Sequence, residues 1–300
     1  MTLGIIANIT KESVFEVVSS FTDKLKKNGI DYLLTKSLAE ENGKLKIEID
    51  EDFVADDSEI YEKSDIIISI GGDGTLLATA YNAQFYDKPV LGVNIGKLGF
   101  IVEADISNLD KIIADLKNGN YEIQERIVLI GECDTYPKEK LHAINDLVID
   151  KDGWPKLIEL TIWVDGEYVT SFLADGVIIA TPIGSTGYSL STGGPVVSPS
   201  ADAITICPIS PHSLTMRPLV LSSSQEIMVK ADSPHHEVQI SCDGQRVYNF
   251  PPPLEVKIKK SPRPIKLIHT SLNTYFETLR NKLLWGIDVR NKTKNEGNRK

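Results

Sequence analysis

One carboxylate set among glycines, in the stretch SIGGDGTLLATA at residues 69–80, has the most direct chemical content in this sequence. An apolar run ends on Gly71 and Gly72, Asp73 and Gly74 follow, and a helix starts near Thr75. Glycine-rich turns that enter helices suit phosphates, because the bare backbone and the helix N-terminus present N–H donors and partial positive charge. A carboxylate in such a turn repels phosphate. Asp73 is therefore either a structural cap or a group whose negative charge takes part in a reaction.

A second stretch, DGVIIATPIGSTGYSLSTGGP at 175–195, joins a strand to a turn crowded with Gly184, Ser185, Thr186, Gly187, Tyr188, Ser191, Gly193 and Gly194. Its hydroxyls offer donors and acceptors, and Tyr188 offers a ring face to a base. Taken singly, each of these residues also reads as a β-turn or a helix cap. Common nucleotide signatures are absent: no P-loop occurs, GGDGTLL does not continue as a dinucleotide fingerprint, and there is no nucleophile elbow. No cluster has metal-ligand spacing. His235 and His236 read as a solvated turn, and His212, close after Pro208 and Pro211, as part of a shaped turn.

The elements that must position these stretches fall into two textures. LGIIANI (3–9), DYLLT (31–35), SDIIISI (64–70) and KPVLGVNI (88–95) read as strands. Between and after them lie helices marked by Val14, Val17, Val18, Phe21 and Leu25, by Thr75 to about Gln84, and by Leu109, Ile112, Ile113 and Leu116. Continuous apolar runs suit parallel strands covered on both faces. Ligands of such sheets bind beyond the carboxyl ends of the strands, where GGDG lies.

From Tyr121 the pattern becomes alternating, as in LIELTIWVDGEYVTSF with a hairpin turn at Asp165-Gly166. RPLVL (217–221) is expected to feed a buried strand, and NIGKLGFI (94–101) to support the GGDG loop, with Lys97 either solvated or near phosphate. The expected fold is an α/β N-terminal domain with a mainly parallel sheet over 1–120 and a β-rich, sandwich-like C-terminal domain over 121–270. A helix at 271–288, stopped by Gly286, is expected to dock back on the first domain, with a disordered tail at 289–300.

Composition bounds the function. The 300 residues are 41% hydrophobic and 25% charged with a net charge of −10, a globular balance that argues against general nucleic-acid or anionic-membrane binding. Cys133, Cys207 and Cys242 are odd in number and lack CxxC spacing, which suits buried reduced thiols. The start of the sequence has no signal-peptide pattern and no apolar run reaches membrane-spanning length, so a cytoplasmic protein is expected.

GGDGTLL, NIGKLGFI, NDLVI (145–149), the 175–195 stretch, CPISPHSLTMRPLVL (207–221) and CDGQ (242–245) occur in the order and spacing of the NAD kinases, which this chain resembles over roughly residues 65–245. GGDGT alone is shared with diacylglycerol and sphingosine kinases and, in related form, with phosphofructokinases. The long Gly/Ser/Thr/Tyr stretch is specific to NAD kinases. The resemblance implies transfer of the γ-phosphoryl group of ATP to the 2′-hydroxyl of the adenosine ribose of NAD, in a crevice between the domains. Magnesium or another divalent cation would be carried with ATP. Asp73 then accepts the hydroxyl proton, as kinase catalytic aspartates do.

Gly71, Gly72, Gly74 and Thr75 would meet the ATP phosphates. Asp73, Gly74, Asn145, Asp146, Lys156, Asp175, Thr186, Gly187, Tyr188, Ser191 and Gln245 would contact NAD. The resemblance also implies a homo-dimer or homo-tetramer in which neighbouring subunits complete the dinucleotide site. Three positions depart from the family pattern: Asp146 replaces the usual Glu, and TPTGSTAY reads TPIGSTGY, placing Ile183 and Gly187 near the expected adenine pocket. The alternatives are another GGDGT-type kinase acting on a lipid or sugar, and a catalytically silent NAD(P)-binding regulator. The Asn145-Asp146 pair and the Tyr188 loop disfavour a lipid substrate, and retention of Asp73 disfavours a silent protein.

If Tyr188 stacks on a base, Tyr188→Ala weakens NAD binding by roughly 1–3 kcal/mol, the scale of base–aromatic stacking, and changes ATP binding much less. Titration calorimetry with each ligand checks this. Equal weakening of both would make the loop a general support of the cleft.

Overall fold

The computed structural model describes residues 1–41, 43–45, 51–96, 99–102, 104–136, 141–153, 155–234, 237–270, 272 and 274–285. The expectations for Lys97, His235, His236, Gly286 and the 289–300 tail lie outside these residues. In order, the first part of the chain forms β1 (Thr2–Ala7), α1 (Ser13–Asn28), β2 (Asp31–Thr35), α2 (Lys36–Glu40), β3 (Val54–Ala55), α3 (Asp57–Lys63), β4 (Ile66–Gly71), α4 (Asp73–Ala83), β5 (Pro89–Asn94), β6 (Ala104–Asp105) and α5 (Leu109–Asn118). The strands β7 (Glu122–Arg126), β8 (Leu129–Glu132), β9 (Leu141–Ala143), β10 (Asp146–Asp150), β11 (Ile158–Val164), β12 (Glu167–Ala174) and β13 (Gly176–Ala180) come next, followed by the single turn α6 (Tyr188–Ser191). The remaining elements are β14 (Ala203–Ile209), β15 (Leu219–Ser222), β16 (Ile227–Asp232), β17 (Val238–Cys242), β18 (Arg246–Phe250), β19 (Leu254–Lys260), β20 (Ile265–His269) and α7 (Tyr275–Leu283). Two compact units interleave along the sequence: Met1–Leu76 with Leu91–Glu122 and the chain from Ile268, and Leu77–Val90 with Ile123–Leu267.

One sheet has the order β3-β2-β1-β4-β5-β20-β7, with β6 added beside β5. β1 pairs in parallel with β2 and β4, β2 with β3, and β5 with β6 and β20. Ile66, Ile68 and Ile70 of β4 pack in one cluster with Val14, Val18 and Phe21 of α1 and Ile112 of α5. Ile67, pointing the other way, is also fully buried. The run IIISI is thus apolar throughout because both faces of its strand are covered. Its carboxyl end delivers Gly71 to the start of α4.

In the second unit two six-stranded sheets are antiparallel, β15-β14-β13-β10-β17-β18 and β12-β11-β16-β19-β8-β9. Alternating residues from both enter one core, including Leu147, Ile149, Ile179 and Ile240 from the first sheet and Leu160, Ile162, Val229 and Val256 from the second. This is the expected sandwich, with inner faces interdigitated. The back of the first sheet is buried too, along a smaller apolar cluster formed by its own Val148, Ile178, Ala180, Cys207 and Ile209. The β11–β12 hairpin turns at Asp165 and Gly166, both with positive φ (51° and 80°), as a two-residue turn matching strand twist requires. All three cysteines are free and buried. Among the described residues no helix is long and apolar enough to cross a membrane.

Two expectations are corrected. RPLVL does not enter a buried strand: β15 is a sheet edge, and Val220 is 50% exposed. A short apolar run marks residues that favour cover, and here the described chain leaves Leu219 and Val220 open. The C-terminal helix carries Lys282 over the Phe100 ring, in the first unit as expected. It nevertheless ends at Leu283, with Leu284 in the left-handed conformation (φ 56°), and buries Leu279 while Phe276 is 62% exposed.

Burial separates two aliphatic positions. Ile179→Ala, in the centre of the sandwich, should cost about 2–5 kcal/mol, whereas Val220→Ala on the open edge should cost under about 0.5 kcal/mol. Denaturant midpoints of the two variants test this; equal losses would mean that β15 is covered.

Candidate active site

Asp73 opens α4, where the helix dipole favours a negative group. It is half-buried, and its carboxylate gathers the turn that follows β5: Oδ2 accepts the N–H of Phe100 at 2.8 Å, and Oδ1 accepts those of Ile101 and Val102, each at 3.3 Å. A Cβ on Gly99 would lie 1.8 Å from Oδ1, so only glycine lets the turn approach this closely. NIGKLGFI is therefore the support of the GGDG loop through its backbone, as expected. Each carboxylate oxygen offers two lone-pair directions, and Oδ2 carries a single N–H among the described residues. A hydroxyl can still donate to it. Gly71 is buried, Gly72 and Thr75 are half-buried and Gly74 is exposed.

The second constellation lies where β9 gives way to β10. Asp243, on the turn between β17 and β18, has a fully buried side chain whose Oδ1 accepts the N–H of Ile144 (2.8 Å), Asn145 (2.6 Å) and Asp146 (3.3 Å). Its Oδ2 pairs with Arg246 at 2.7 Å. The loop after β13 is fastened to the same residues. Thr181 donates its hydroxyl to the Ile144 carbonyl at 2.6 Å and its N–H to that of Asn145 at 2.9 Å, and accepts from Gly184 N at 3.2 Å. At Gly184 a Cβ would stand 2.0 Å from the Asn145 carbonyl oxygen, so this crossing also demands glycine.

The outcome is that Gly187 faces Asp146 Oδ2 and Asn145 Nδ2, which would lie 3.7 and 3.9 Å from a Cβ placed there. Asn145 Oδ1 is buried without a hydrogen-bond partner among the described residues, an acceptor left over once the fold has formed. Amide and carboxylate together suit vicinal hydroxyls. Asp146 is buried; desolvation first and the neighbouring Asp243 carboxylate second push its pKa up to about 7. It can therefore either accept from or donate to a hydroxyl near neutral pH.

Tyr188 is 48% exposed at the start of α6, and its hydroxyl pKa is raised by burial and then by the carboxylates of Asp150, Asp175 and Asp146. Asp175 is paired with Lys151 at 2.5 Å. Thr186 is half-buried with its hydroxyl on the Ile183 carbonyl (3.2 Å), and Ser191 is exposed. Gln245 is exposed on the Asp243 turn. Lys156 is exposed between β10 and β11 and forms no ion pair among the described residues. Ile183, one of the departures, is only 6% exposed and belongs to the packed interior. Sequence reasoning missed Asp243, Arg246, Thr181 and Gly99. Asp243, Thr181 and Gly99 stood inside quoted motifs, but Asp243 and Thr181 act largely on backbone groups, which carry no side-chain signal, and Gly99 acts by lacking a side chain beside Asp73.

Residues 3–121 match the ATP-NAD kinase N-terminal domain and residues 144–270 the ATP-NAD kinase C-terminal domain. The protein named NAD kinase from Chlorobium phaeovibrioides (strain DSM 265 / 1930) is 38% identical over 287 residues, covering 95% of this chain and 99% of its own length. That of Prosthecochloris aestuarii (strain DSM 271 / SK 413) is 36% identical, covering 95% and 98%. Among solved structures, yeast NADH kinase complexed with NADH matches with a TM-score of 0.86 at 28% identity, over 95% of this chain and 88% of the other. An NAD kinase from Archaeoglobus fulgidus in complex with ATP matches with a TM-score of 0.73 at 25% identity, over 95% and 99%.

The raised pKa of Asp146 carries a signed consequence. Between its ordinary value and about 7 the folded chain holds a proton that the unfolded chain has lost, so this group lowers stability as pH rises, and the loss is complete above about pH 7. Asp146→Asn removes the ionisation. Its melting temperature should gain on the parent's between pH 5 and pH 8, by the equivalent of on the order of 1–3 kcal/mol. Thermal denaturation at both pH values decides; an unchanged gap would show that Asp146 ionises freely.

Proposed function

The chain belongs to the ATP-NAD kinase family of phosphotransferases, and from that premise we propose that Asp73 is the proton acceptor when the γ-phosphoryl group of ATP passes to the adenosine ribose 2′-hydroxyl of NAD. A new bond forms between the 2′-oxygen and the γ-phosphorus as the bond from that phosphorus to the β–γ bridging oxygen breaks. ADP leaves with the electron pair, and the hydroxyl proton passes to Asp73 Oδ2. The observation that carries this reading is the carboxylate at the strand-to-helix turn, fixed by backbone donors yet with acceptor capacity left on Oδ2. Gly71, Gly72, Gly74 and Thr75 form the turn that receives the ATP phosphates.

Asn145 and Asp146 are assigned to the ribose hydroxyls, Tyr188 to a base face, and Asp175, Thr186, Gly187, Ser191, Gln245 and Lys156 to the surroundings of the dinucleotide. Among the described residues no group of three or more His, Cys, Asp or Glu is gathered to hold a metal ion. From the family resemblance, the magnesium or other divalent cation is assigned to the ATP complex, where it would offset triphosphate charge that opposes Asp73. A homo-dimer or homo-tetramer is proposed from the family resemblance. Exposed Tyr168 and Leu173 on the edge strand β12, and Leu219 and Val220 on β15, supply apolar area that a second copy would cover. Three free, buried thiols suit the reducing cytoplasm.

Incubation with ATP, magnesium and either NAD or NADH, followed by enzymatic detection of NADP or NADPH, measures the activity. Asp73→Asn should lower turnover by about 10²- to 10⁴-fold while NAD binding survives, as for loss of a general base. Near-normal turnover would remove Asp73 from the chemistry, and a fall in melting temperature large enough to explain the loss would make it a cap for residues 100–102.

A further inference from the structure

Arg246 makes three contacts that no ligand role requires. Its NH2 group donates to Asp243 Oδ2 at 2.7 Å and to the His142 carbonyl at 2.9 Å. The guanidinium carbon stands over the Tyr81 ring, 3.9 Å from its centroid, a cation–π contact. Tyr81 is itself braced edge-on by Phe85 at 5.4 Å. Through the His142 carbonyl the guanidinium is tied to β9, the strand just before residues 144–146; through Asp243 it reaches the N–H groups of those same residues. One planar side chain thus holds both ends of the segment that presents Asn145 and Asp146.

A carboxylate side chain with no exposed surface is costly to bury unless a cation and donors surround it. Without the guanidinium, Oδ2 of this buried side chain loses its charged partner, and the carboxylate is free to turn away from the three N–H groups that Oδ1 now holds. We propose that Arg246 is a positioning residue for the dinucleotide: acting through Asp243, and held in plane by Tyr81, it sets the backbone of residues 144–146 so that the Asn145 amide and Asp146 carboxylate meet the ribose. The proposal rests on the assignment of Asn145 and Asp146 to NAD made above. Lysine is no substitute, since a compact ammonium cannot keep the flat stack and both directed hydrogen bonds.

Steady-state kinetics on the intact protein, varying NAD and ATP separately, test this. Arg246→Met should raise the KM for NAD about tenfold or more, the scale of leaving a buried polar partner unsatisfied, with the KM for ATP within about twofold of the parent. Arg246→Lys should fall between the two. Tyr81→Leu, which keeps the ion pair and removes only the stack, should raise the KM for NAD about two- to fivefold, and Tyr81→Phe should leave it unchanged. An unchanged KM for NAD in folded Arg246→Met, or equal increases for NAD and ATP, overturns the proposal. If Arg246→Met does not fold, Tyr81→Leu decides on the same criteria. Asn145→Ala separates the two levels: if it too leaves the KM for NAD unmoved, the assignment of the pair to NAD fails. If it raises that KM while the Arg246 and Tyr81 variants do not, only the positioning role fails.

Discussion

A carboxylate cut off from water must be surrounded by donors, and the second unit is organised around meeting that demand at Asp243. Three consecutive backbone N–H groups and one guanidinium converge on it. Such a group is costly when unpartnered and stabilising only when fully partnered, so its presence fixes the chain around it more tightly than an apolar contact would. The segment 144–146 has little freedom left, and the loop after β13 hangs from that segment through Thr181. Next door, desolvation raises the pKa of Asp146, and the Asp243 carboxylate adds a smaller push in the same direction.

Asp73 uses the same device under different exposure. It too collects three consecutive N–H groups, from residues 100–102, but two of the three bonds are long and the side chain is only half-buried. Asp243 is therefore spent on architecture. Asp73 stays in reach of a donor from outside while its orientation is fixed, the combination that general-base chemistry needs. In both places glycine permits the close approach: Gly99 beside the Asp73 carboxylate and Gly184 against the Asn145 carbonyl. A Cβ at either position would collide with the atoms that define the site.

Much of the fold is legible in the sequence because it rests on periodicity. The helix through Val14, Val18 and Phe21 buries those residues and closes at Gly29 with φ 66°. IIISI reads as a strand covered twice, and LIELTIWV with its Asp-Gly turn reads as a half-covered hairpin. Periodicity identifies an apolar face without identifying its cover. That is why the apolar run in RPLVL pointed to a buried strand where β15 is an open edge, and why Phe276 lies on the exposed side of the last helix.

The sequence by itself determined the order of the elements, the placement of a lone aspartate at a strand-to-helix turn, and the motif series from GGDGTLL to CDGQ that identifies the family. These are properties of side-chain type and spacing, which are written in one dimension. Only the tertiary structure decided that Asp243, almost a hundred positions after Ile144, would collect the N–H groups of residues 144–146, and that Gly187 would come to face Asn145 and Asp146. Only it placed Arg246 between a carboxylate, a carbonyl and an aromatic ring. Every residue except proline carries the same backbone N–H donor, so nothing in the letters marks which three will be chosen; the choice is made when the sheets pack and bring one carboxylate within hydrogen-bonding distance of them.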